Sequence, residues 1–125
     1  MTKPQPKSMT VPLLRVYATA PSDPTEKPKT KVHPEVLDMN GFPSGEQVLV
    51  WKIQTDGFVF EGDGITFNDE GVQTFSKATV SPDLRIASVI NLNNDGLAYS
   101  YTVAVKNKVT GVVTRFDPLV QNEGK

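Results

Sequence analysis

Asn93-Asn94-Asp95-Gly96, followed by Leu97-Ala98-Tyr99-Ser100-Tyr101-Thr102-Val103-Ala104-Val105, is the stretch whose reading decides the fold. The first four residues tolerate the positive φ that a tight hairpin turn demands. The next nine repeat with a period of two, so Leu97, Tyr99, Tyr101, Val103 and Val105 share one face and Ala98, Ser100, Thr102 and Ala104 the other. A period of two is the mark of a strand with one buried face. The small second face implies either a close neighbour or solvent.

Outward from this strand the same grammar continues in both directions. Residues 106–111 turn the chain into a run at 112–116 that Asp117-Pro118 closes. Upstream, Leu84, Ile86, Ile90 and Leu92 fall together in residues 84–92, which read as a central strand. Asn68-Asp69-Glu70-Gly71 is a turn before a short strand at 72–75. Phe58 and Phe60 alternate after Asp56-Gly57, and Ile65 and Phe67 resume the pattern beyond Gly62-Asp63-Gly64, whose glycines predict a bulge or tight turn. Residues 47–53 place Leu49, Trp51 and Ile53 on one face and Lys52 on the wetter one, and a first run covers 31–39. Short strands punctuated by turns, with no helical period, predict an all-β, antiparallel, two-sheet sandwich of about seven strands.

Ahead of this body the composition changes. Six of the ten prolines lie before Lys31, so residues 21–28 can carry neither a helix nor a central strand. The reading is a partly extended arm at 1–31 and a sandwich domain at 32–125. Six basic residues face two acidic ones through Lys31, against seven and twelve from Val32 onward, under a net charge of −1. A solvated tail, docking on its own domain, an acidic partner or nucleic acid all suit such an arm. Within it, Val11, Leu13, Leu14, Val16 and Tyr17 form an apolar segment with three readings: an edge strand of this domain, disorder, or a strand that adds to a partner's sheet.

The body resembles small bacterial proteins of unknown function with an immunoglobulin-like or cupredoxin-like sandwich. The resemblance rests on Trp51, Asp56-Gly57-Phe58-x-Phe60, Gly64-Ile65-x-Phe67, Gly96-x-x-Tyr99-x-Tyr101-Thr102-Val103 and Asp117-Pro118-x-Val120-x-Asn122-x-Gly124. It implies a fold and no activity. It also implies that Trp51, Tyr99 and Tyr101 pack in the core, as a Trp and a strand-start Tyr do in immunoglobulin domains, in preference to forming a ligand platform.

Composition removes much chemistry. The chain has no cysteine and one histidine, so disulfides, thiolate sites and a blue-copper centre are excluded. His33, beside Pro34, supports no catalytic triad and reads as a strand-start residue. Thr55-Asp56-Gly57 inverts the aspartic-protease order, and Gly62-x-Gly64 lacks the third glycine and helix of a dinucleotide site. Asp56, Glu61, Asp63, Asp69 and Glu70 supply oxygen ligands on loops and motivate a calcium-dependent or saccharide-binding alternative, although their spacing is not that of an EF-hand. Paired carboxylates could also serve glycoside hydrolysis, which needs a separation that sequence does not show. For nucleic acid the body is too acidic, and phosphate contacts would have to rest on the arm. The expectation is thus a non-catalytic module with no cofactor that binds another protein, able to self-associate through a sheet edge or arm exchange. With no apolar run long enough to span a bilayer and no apolar core to the N-terminal segment, the sequence reads as soluble and cytoplasmic.

Overall fold

The computed structural model of the chain is described over residues 12–19, 29–68 and 73–123. It is an all-β, two-sheet sandwich. Sheet I runs β2 (Lys29–His33), β1 (Leu13–Thr19), β4 (Gln47–Ile53), β7 (Ile86–Asn91), β6 (Thr79–Val80). Sheet II runs β3 (Val36–Asp38), β10 (Leu119–Gln121), β8 (Ala98–Asn107), β5 (Phe58–Phe67), with β9 (Val113–Phe116) beside β8. The expectation of wholly antiparallel sheets is corrected in two places, since β1 runs parallel to β4 and β3 parallel to β10.

The two inner faces meet in one core. Leu14 and Val16 from β1, Leu49, Trp51 and Ile53 from β4, and Ala87 and Val89 from β7 face Phe60, Ile65, Tyr101, Val103, Val105 and Val120. Trp51 sits in register with Ala87, whose small side chain leaves room for the indole. The Trp51 Nε1–H donates to the Tyr101 hydroxyl at 3.0 Å, with the rings 5.3 Å apart edge to face. Burial pushes the Tyr101 hydroxyl above its usual pKa, the indole hydrogen bond working weakly the other way. Trp51, Tyr99 and Tyr101 are all buried, the core packing that the resemblance implies.

The arm and the body do not part at residue 31. β1 and the first three residues of β2 come from the segment read as an arm, and both are strands of sheet I. The cause lies in alternation: Leu14, Val16 and Val32 point inward and are fully or almost fully buried, while Pro12 stays just outside β1 and accepts a hydrogen bond from the Val50 N–H at 3.0 Å. The first run, read as one strand from 31 to 39, is two. A cis His33–Pro34 bond separates β2, at the edge of sheet I, from β3, at the edge of sheet II. The chain thereby changes sheets in two residues.

Of two other local readings, one differs and one holds. Leu84 is not in a strand; it adopts a left-handed φ of 61° in the turn from Ser81, and β7 starts at Ile86. Around Gly62-Asp63-Gly64 the register of β5 against β8 shifts between Phe60 and Ile65, the expected bulge. Gly64 has φ 74°, and a Cβ there would lie 2.9 Å from the Phe60 Cβ, so both the conformation and the space require glycine.

Candidate functional site

The apolar face of residues 84–92 is not the one that is buried. In β7 the core takes Ala87, Val89 and Asn91, so Ile86 and Ile90 point away from it. The same holds in β4, where Val48 and Val50 oppose the inward Leu49 and Trp51. Register then assembles a surface: Val48 lies beside Ile90, Val50 beside both Ser88 and Leu13, and Lys52 beside both Ile86 and Arg15. Leu13, Val48, Ile86 and Ile90 are 41, 44, 39 and 42% exposed. A sandwich usually turns polar residues outward; here the outer face of sheet I carries an aliphatic patch across three strands.

Along the same face the character changes from apolar to basic. Arg15 lies in register with Lys52 on one side and His33 on the other. Tyr17 is opposite Lys31, and Thr19 opposite Lys29. Past the edge strand β2, a groove of about 590 Å³ is lined by Tyr17, Lys29, Lys31, Glu35, Arg115 and Phe116, among others. A 2.6 Å hydrogen bond between the hydroxyls of Thr30, which lines the groove, and Thr114 ties β2 to β9.

The proposed partner-binding residues therefore divide. Leu14 and Val16 are fully buried in the core and unavailable to a partner, whereas Leu13 and Tyr17 stand on the outer face of sheet I. Val11 lies outside the described residues. Nor does β1 offer a free backbone edge, being paired with β2 and β4.

Of the acidic loop residues, the three that are described do not converge. Asp56 is fully exposed and 4.0 Å from the Arg85 guanidinium, Glu61 pairs with Lys106 at 3.5 Å, and Asp63 lies in the β5 bulge beside a separate groove shared with Phe67 and Phe75. Asp69 and Glu70 lie outside the described residues. Among the described residues, no group of three His, Asp or Glu side chains is close enough to hold a metal ion.

A polar cluster at one end of the sandwich gives a further role to Asn93 and Asp95, which sequence read as turn residues, and joins them to Asn91 and Asn122. Asn91, Asn93 and Asn122 are almost wholly buried. Asn91 donates to the Asn122 side-chain oxygen at 2.7 Å, Asn122 donates to Asp95 at 3.2 Å, and Asn93 holds the Gly45 carbonyl and the Glu123 N–H. The Tyr99 hydroxyl also donates to Asp95. Desolvation pushes the Asp95 carboxyl up, but hydrogen bonds from Tyr99, the Leu97 N–H, Asn122 and Thr74 together outweigh it and hold the pKa below its usual value. Every described buried side-chain polar atom has a partner, so this cluster joins loops and presents no unused group to a ligand.

No protein-family model matches the chain, and no curated protein matches it in sequence. No described helix is long and apolar enough to cross a membrane.

Proposed function

We propose that the protein is a non-catalytic binding module that docks another protein on the outer face of sheet I. The observation that carries this reading is the aliphatic patch of Leu13, Val48, Val50, Ile86 and Ile90, laid side by side by register on a face that solvent would otherwise claim. A contiguous apolar patch with charged residues at its margin has the composition of an interface core and rim. The basic residues at one margin disfavour a symmetric pairing that brings the two basic ends together.

The sandwich itself is, in our reading, immunoglobulin-like rather than cupredoxin-like. Three features support this: β4, β7 and β6 adjoin in one sheet and β5, β8 and β9 in the other; the first body strand changes sheets to run parallel to the last; and Tyr99, at the start of β8, hydrogen-bonds back to Asp95. The tryptophan departs from that pattern, standing on β4 rather than on β5.

A photo-crosslinking amino acid placed at Val48 tests the docking face in the cells that make the protein. One dominant protein adduct, lost in an Ile90→Lys variant with an unchanged circular dichroism spectrum, is the expected result. Adducts scattered over many proteins, or one that survives Ile90→Lys, would remove the reading.

A further inference from the structure

Folding gathers the arm's cations with others from the body. Arg15, Lys29 and Lys31 precede Val32, Lys52 belongs to β4 and Arg115 to β9, yet register sets the first four on adjoining strands of one face of sheet I, and the groove brings Arg115 of sheet II to its β2 edge. All five are exposed, and the two ion pairs recorded among the described residues use Arg85 and Lys106 instead. Arg15 and Lys52 are direct cross-strand neighbours. Like charges so placed repel, and an anion lying across them relieves the repulsion. Glu35 is the one carboxylate among the described residues that line the groove.

The groove also carries rings. Tyr17 is 42% exposed and stands between the Arg15 and Thr19 rungs with Lys31 opposite, while half-buried Phe116 lines the far wall beside Arg115. Cations that track a backbone, interleaved with aromatic faces, are what an unpaired strand of nucleic acid requires, because phosphates need charge and unstacked bases need a platform. Phe116 packs against the core, so a purely acidic peptide would use the cations and leave the exposed Tyr17 ring without a partner. We propose that this groove binds single-stranded nucleic acid across β1, β2 and β9, with Lys29, Lys31, Arg15 and Arg115 on phosphates and Tyr17 stacking on a base. The site adjoins the aliphatic patch but uses none of its apolar residues, and its test stands independently of the docking reading.

Fluorescence anisotropy of a labelled twelve-residue oligo-thymidylate with the full chain is the test. Expected is saturable binding at low salt that weakens as salt rises, with a log–log slope of about −3 if four phosphates are neutralised. Lys29→Glu/Lys31→Glu should weaken binding at least about tenfold and flatten that slope. Tyr17→Ala should weaken it about five- to hundredfold while leaving the slope unchanged, which separates stacking from charge. Lys77→Glu, at the other end of the molecule's sheet order, should leave binding intact. The proposal is overturned by absence of saturable binding, by equal loss in Lys77→Glu, by a poly-glutamate peptide that competes as well as the oligonucleotide, or by thymidine monophosphate binding as tightly as the strand. Circular dichroism of each variant confirms that the fold is retained, these side chains being outside the core.

Discussion

Asp95 is where a turn residue acquires a second role. In sequence it completes Asn93-Asn94-Asp95-Gly96; in the fold it accepts from Tyr99, the Leu97 N–H, Asn122 and Thr74. Its folded pKa lies below the usual 3.8, so folding favours the ionised form. Its contribution is therefore full above the unfolded-state value and is lost as pH falls through the folded one. Replacing Asp95 by Asn substitutes donors for an acceptor and should cost about 1–3 kcal/mol at neutral pH. Urea unfolding at pH 7 and near pH 2.5 checks both statements: the gap between wild type and variant should shrink in acid. A gap that stays constant would mean that the charge is not what the cluster uses. Nothing in the sequence announced the cluster, because Asn91, Asn93 and Asn122 become partners only when the ends of β7 and β10 are brought together.

At the scale of elements, one side chain holds the end of β4, the loop after it and the start of β5 together. Arg85 donates from Nη1 to the Thr55 and Phe58 carbonyls at 2.7 and 2.8 Å and from Nη2 to the Ile53 carbonyl at 3.0 Å. Next to it, the Leu84 carbonyl accepts from the Phe60 N–H at 2.8 Å, so the first half of the outer β5 edge is closed by the β6–β7 turn. A lysine keeps the charge but not the planar fork that reaches three carbonyls. Arg85→Lys should therefore lower stability by about 1.5–3 kcal/mol, read from the denaturation midpoint at constant m-value. Strands such as β8 and β4 were legible because each buries one alternating face. β7 was legible as a strand but not in its facing, since the larger aliphatics at 86 and 90 outweigh Ala87 and Val89 in any reading by hydropathy alone. The packing of Trp51 against Ala87 decides that question, and the outward patch follows from it.

At the scale of the whole molecule, residues 13–19 and 29–31 of the segment read as an arm are strands of the sandwich, and this determines how the protein must be cut or kept. Proline density and charge pointed to an arm, yet the same segment holds Leu14 and Val16 at a spacing of two, and that period outweighed the composition. β1 occupies an interior place in sheet I, hydrogen-bonded to β2 on one side and β4 on the other. Without it β2 would have no sheet neighbour, β4 would expose a bare edge, and the cavity left by Leu14 and Val16 would open the core beside Trp51. Burying those two side chains is worth about 1.5–3 kcal/mol each, a large part of the net stability of a domain this size. A chain beginning at residue 29 should therefore unfold without a cooperative transition or aggregate through the β4 edge. A synthetic peptide of residues 12–19 added in trans should restore the transition and the emission of buried Trp51, whereas the same peptide with Leu14→Asp/Val16→Asp should not. A shortened chain that melts cooperatively on its own, with Trp51 still buried, would show instead that the sandwich closes without β1 and that the segment is free to serve a partner.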